Sequence, residues 1–165
     1  AYLIQYEFGG GFIMGLSLQF LVGEPKGLLD ALSAADYEKL NSLTEKMADF
    51  SLHLQPRDLQ TLSDCAAQYA SQFLKPFRNA LVCYLDEVDR GYFVVNDDWV
   101  DAMATIDIGK SKELAAKWFE QMALNYPNEQ IGNPTADAET AVCELIKLCK
   151  YAVQFAKPLI HIWVA

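Results

Sequence analysis

Histidine is scarce in this 165-residue chain, which carries only His53 and His161. Imidazole chemistry is therefore confined to that pair. Cys-x-x-Cys is absent, and the cysteines Cys65, Cys83, Cys143 and Cys149 lack the spacing of a zinc site or a disulfide framework. Cys143 and Cys149 would stand about 120° apart on one helix. Three of the four fall at apolar positions of predicted helices, where a free thiol packs as a small hydrophobe. The cysteines are expected to be buried and reduced, which fits a cytoplasmic setting.

Long apolar runs are also missing. None approaches the ~20 residues that span a bilayer, and no basic region opens the chain as in a signal peptide. No Lys/Arg stripe with interleaved aromatics is present, and the net charge is −9. Nucleic acid and anionic membrane surfaces, which require clustered cations, are expected to be excluded as partners. The one Gly-rich stretch, Gly9-Gly10-Gly11, is not followed by the Gly-Lys-Ser/Thr of a phosphate cradle and reads as a turn. The EF-hand spacing D-x-[DN]-x-[DN]-G and the nucleophile elbow G-x-S-x-G are absent as well. No cofactor is implied.

What is present is a globular composition, 52% apolar and 21% charged, of one-domain length. Alternation of Tyr2, Ile4, Tyr6 and Phe8, then of Leu16, Leu18, Phe20 and Val22, around the three glycines predicts a β-hairpin. Met14-Gly15 opens a clean strand pattern, which leaves two readings for residues 1–13, a native strand or an added extension. Leu28, Leu29 and Leu32 mark a short helix. A second helix follows Asp36 and carries Tyr37, Leu40, Leu43 and Met47 inward. Phe50, Leu52 and Leu54 alternate as a brief strand.

Asp58 is placed to cap a helix with the stripe Leu59, Leu62, Cys65, Ala66, Tyr69 and Phe73. Leu81 to Leu85 and Tyr92 to Val95 form a second hairpin with an acidic loop. Asn96 caps a helix, Asp107 or Ser111 begins another, and Thr135 caps a long one with Ala138, Val142, Leu145, Cys149, Ala152 and Ala156 inward. The apolar run from Leu159 to Val164 is a final strand. No repeat or linker interrupts residues 1–165, so the expectation is one α+β domain. Its antiparallel or mixed sheet has about five to six short strands, covered mainly on one face by about five helices.

The least even part of the surface pattern is Asp86 to Asp107. Asp86, Glu87, Asp89, Asp97, Asp98, Asp101 and Asp107 face a single cation, Arg90, so the segment holds six of the nine net negative charges. Each part has an ordinary reading. Asp97 and Asp98 suit a helix N-terminus, and Asp86, Glu87 and Asp89 are turn residues.

Two functions compete. The first is a non-enzymatic acidic interaction domain, of the inhibitor or immunity type, that binds a basic protein partner. Asp86, Glu87, Asp89, Asp97, Asp98 and Asp101 would supply the field, with Tyr92 and Trp99 as anchors. Alternation sets Tyr92 and Phe93 on opposite faces, one buried and the other more accessible. The second is a small hydrolase or metal-dependent enzyme. If the strands holding His53 and His161 pair, the rings and a carboxylate would form a two-His-one-carboxylate set.

Overall fold

The computed structural model describes residues 16–165. The predicted strand from Tyr2 to Phe8 and its glycine turn lie outside the described residues. The second run of that pattern is strand β1 (Ser17–Gly23). Pro25 then opens helix α1 (Pro25–Ser33), capped by the Glu24 carboxylate, which accepts the amides of Lys26 and Gly27. Helix α2 (Tyr37–Leu43) is capped by Asp36 through the Lys39 amide, 3.0 Å.

The chain next departs from the expected pattern. Thr44–Asp49 is strand β2, not the end of α2, so Met47 is exposed on a sheet edge. Its polar sequence TEKMAD has no β signature; pairing with β1, from Gln19↔Asp49 to Gly23↔Thr44, overrides local preference. The expected strand at Phe50, Leu52 and Leu54 is irregular. Phe50 donates to the Leu18 carbonyl (2.8 Å), but the Leu18 amide is then taken by the Ser51 hydroxyl (3.2 Å). His53 has φ 60°, which breaks the extended run.

Helix α3 (Pro56–Ala66) starts one turn earlier than an Asp58 cap implies. Asp58 lies inside the first turn and reaches back to the Gln55 amide, 2.8 Å. The helix stops before Tyr69 as the Gln68 amide shifts to the Cys65 carbonyl, and Phe73 is left 85% exposed. A 3-10 turn at Phe77–Asn79 buries Phe77. Strands β3 (Leu81–Asp86) and β4 (Arg90–Val95) form the predicted hairpin. Then come α4 (Asp97–Ala104), α5 (Ser111–Asn125), α6 (Ala136–Gln154) and β5 (Leu159–Val164). Thr135 caps α6 through the Ala138 amide, 3.1 Å.

The five strands form one antiparallel sheet in the order β2-β1-β5-β4-β3. This is an α+β arrangement, with the apolar β5 at the centre and β1 beside it. Strand alternation divides the core in two. Leu18, Phe20, Phe93, Val95, Leu159 and Trp163 pack under α3, α4, α5 and α6. Leu21, Tyr92, Ile160 and Ile162 pack on the other face under Leu28, Ala31, Leu32 and Leu40 of α1 and α2. The sheet is therefore covered on both faces, with the heavier layer on one.

Candidate functional site

The acidic segment begins at the β3–β4 turn, closed by the Glu87 amide on the Arg90 carbonyl, 2.8 Å. Arg90 organises this end. Its Nε lies 3.2 Å from Glu87 Oε2 and 3.1 Å from Asp89 Oδ1. Its Nη1 donates to the carbonyls of Leu32 (3.1 Å) and Ser33 (3.3 Å), at the C-terminus of α1. The last carbonyls of a helix have no partner within it and attract a cation, so Arg90 fastens the hairpin tip to α1.

The second group of acids stands at the other end of β4. Asp98 accepts the Trp99 amide (2.8 Å) and pairs with Lys75 (2.8 Å), whose ammonium holds the carboxyl below its usual value. Asp97 and Asp101 lie four residues apart on α4, which puts them on one exposed face. Between the two groups runs β4, six residues long, or about 20 Å at the usual rise. That exceeds the ~8 Å screening length at physiological salt. The segment continuous in sequence is thus two electrostatic sites in space.

All seven carboxylates are exposed. Glu87, Asp89 and Asp98 are ion-paired, whereas Asp86, Asp97 and Asp101 form no ion pair among the described residues.

The aromatic residues expected to anchor a partner are not on this surface. Tyr92 is buried, its hydroxyl donating to the Pro25 carbonyl (3.0 Å), and burial pushes the phenol up. Trp99 is buried between Phe20 and Phe77, with its indole N–H on Ser63 Oγ, 3.1 Å. Phe93 is buried too. One of Tyr92 and Phe93 was expected to be accessible; both are enclosed because helices cover both faces of the sheet. Tyr92 and Trp99 are corrected from anchors to core residues.

The histidines are not brought together on paired strands. His53 is exposed in a loop, whereas His161 is on β5, whose neighbours are β1 and β4. His161 is fully buried against Phe20, Phe77 and Phe93. Its Nδ1 lies 3.1 Å from the Gln19 carbonyl, so Nδ1 carries the proton, and burial pulls its pKa down to about 4. Among the described residues no group of three or more His, Cys, Asp or Glu side chains could hold a metal ion. No described helix is long and apolar enough to cross a membrane.

Two features were not visible in the sequence. A groove of about 360 Å³ between the end of β2 and the start of α6 gathers Asp49, Asp137 and Glu144 around Met47 and Leu52. These acids are far apart in the chain and share no local pattern. The other feature is the outer side of β3, where Val82 is 44% and Tyr84 60% exposed, with Cys83 exposed between them. The opposite edge, β2, is guarded differently. Glu45 binds Lys157 (2.6 Å) and Tyr151, and Lys46 lies over the Tyr151 ring. The cysteines follow these placements. Cys65 and Cys149 are buried as expected, Cys143 is half-buried, and Cys83 is exposed because β3 is an edge.

Compared with protein-family models, with curated proteins and with solved structures, the chain matches none.

Proposed function

We propose that this domain is a non-enzymatic interaction module that binds a basic protein through its acidic surface. The observation that carries the reading is the exposure of every carboxylate from Asp86 to Asp107. None of them serves the core, and Asp86, Asp97 and Asp101 are not neutralised by a neighbouring cation among the described residues. Exposed charge of one sign speeds the encounter with an oppositely charged partner and orients it. The inhibitor or immunity class is one in which such a surface masks a basic nuclease or toxin.

The anchoring role assigned to Tyr92 and Trp99 passes to apolar groups that are accessible, Val82 and Tyr84 beside the acidic turn. The test separates structural acids from free ones. Neutralising Glu87, Asp89 and Asp98 would also release Arg90 and Lys75, so the informative variant is Asp86→Asn with Asp97→Asn and Asp101→Asn. Wild-type protein immobilised in lysate at low salt is expected to retain a basic protein that high salt releases and that the triple variant fails to hold. Equal retention by the variant, or retention indifferent to salt, would overturn the proposal.

A further inference from the structure

The outer edge of β3 combines three properties. It is the last strand of the sheet among the described residues, so half of its backbone donors and acceptors face away from β4. Its sequence LVCYLD lacks the lysine or proline that commonly blocks an edge. Register with β4 is regular from Leu81↔Val95 to Cys83↔Phe93, and shifts between Cys83 and Leu85. Alternation sets Tyr84 on the Tyr92 side of the sheet, where the rings meet edge to face at 6.2 Å, and the shift brings Leu85 opposite Tyr92 as well. Val82 stands on the same side, opposite Val94. The edge thus offers a short regular ladder bordered by an apolar strip.

Charge decides what can occupy it. Asp86 closes its C-terminal end, and Glu87 and Asp89 lie just beyond it. The Asp97, Asp98 and Asp101 group lies at its N-terminal end, where the Asn96 amide donates to the Ala80 carbonyl, 2.7 Å. Arg90 offsets part of the first group, and Lys75 and Arg78 part of the second, so both ends remain negative. A second copy added antiparallel would set each acidic end against the other and be repelled. A strand with cations at both ends and apolar residues between them is complementary.

We infer that β3 is the docking element for an extended segment of a basic protein, which adds to the sheet as a sixth strand with Lys or Arg at both of its ends. This rests on the acidic-interaction reading and names its mode: backbone hydrogen bonds supply affinity, and the flanking acids select the partner.

The probe is a short synthetic peptide with two lysines at each end and alternating valine and threonine between them. Its analogue has every central amide N-methylated, which keeps the charge and removes the ladder. Binding to the full chain is measured by calorimetry at low salt, with amide hydrogen exchange read across β3. The expected result is a loss of at least tenfold in affinity on methylation, and slowed exchange in Leu81–Asp86 with the parent peptide only. Equal binding of both peptides without protection of β3 overturns strand addition. If that binding is still lost in the Asp86→Asn, Asp97→Asn, Asp101→Asn variant, the acidic reading survives alone. Binding of neither peptide overturns the inference, as does a dimer by light scattering that already protects β3 without peptide.

Discussion

The indole of Trp163 occupies the space that a side chain at Gly91 would need. The two residues face each other across β4 and β5, and a Cβ at position 91 would fall inside the indole ring's contact distance. Trp163 is itself buried, so the ring has little room to retreat. Gly91→Ala is expected to overpack this junction and cost about 1–3 kcal/mol. Urea denaturation of the variant should show an earlier midpoint with an unchanged slope. An unshifted midpoint would mean that the ring moves freely.

Gly91 also illustrates what the sequence can express. The β3–β4 hairpin, β1, β5 and α6 are legible because each has a sustained period of two or three-to-four, bounded by turn or cap residues. Thr44–Asp49 is not, since a polar edge strand owes its conformation to β1 rather than to its own residues. Helix α3 is overextended in the sequence because Tyr69 and Phe73 continue its spacing by chance, and only the turn at Gln68 reveals the stop. The acidic segment is plain in sequence, but its division into two sites depends on β4 lying extended between them. Burial of Tyr92 required knowing that α1 and α2 cover the second face, which no local pattern specifies.

Tyr126 joins the ends of α3 and α5. Its hydroxyl donates to Asp58 Oδ1 (2.7 Å) and accepts from Arg57 Nε (2.6 Å), while the Arg57 guanidinium sits 4.4 Å from the ring centre. Burial and the bond to Asp58 push the phenol up to about 12. Tyr126→Phe keeps the ring and leaves one oxygen of the buried Asp58 without its donor. A loss of about 1–2 kcal/mol is expected. Arg57→Ala removes the stacked cation but leaves the Tyr126–Asp58 bond, and should cost less. Thermal unfolding of the two variants would show whether the order holds.

The thiols provide a direct check on the sheet edge. Cys83 is exposed on β3, whereas burial pushes the thiols of Cys65 and Cys149 up. A thiol reagent at neutral pH should consume one cysteine quickly, Cys143 more slowly, and Cys65 and Cys149 only on unfolding. The fast phase should vanish in Cys83→Ser. Fast reaction of Cys65 or Cys149 in the native protein would contradict the burial of α3 or α6.

His161 gives the fold an acid limit. In the unfolded chain its pKa is near the ordinary value of about 6.5, while burial among Phe20, Phe77 and Phe93 lowers it to about 4 in the native state. Between those values the unfolded chain binds the extra proton, so acid favours unfolding. The contribution of neutral His161 is complete above about pH 6.5 and is lost as pH falls toward 4. A difference of that size corresponds to about 3 kcal/mol. Carboxylates add their own loss in the lower part of that range, so the comparison must be with a variant. His161→Gln keeps a polar group near the Gln19 carbonyl but cannot titrate. It should start less stable at pH 7 and lose less on acidification to pH 4.5. Denaturant melts of both proteins at several pH values measure this directly. Parallel pH profiles would show that the native imidazole takes up its proton near its ordinary value, with water reaching the centre of the sheet.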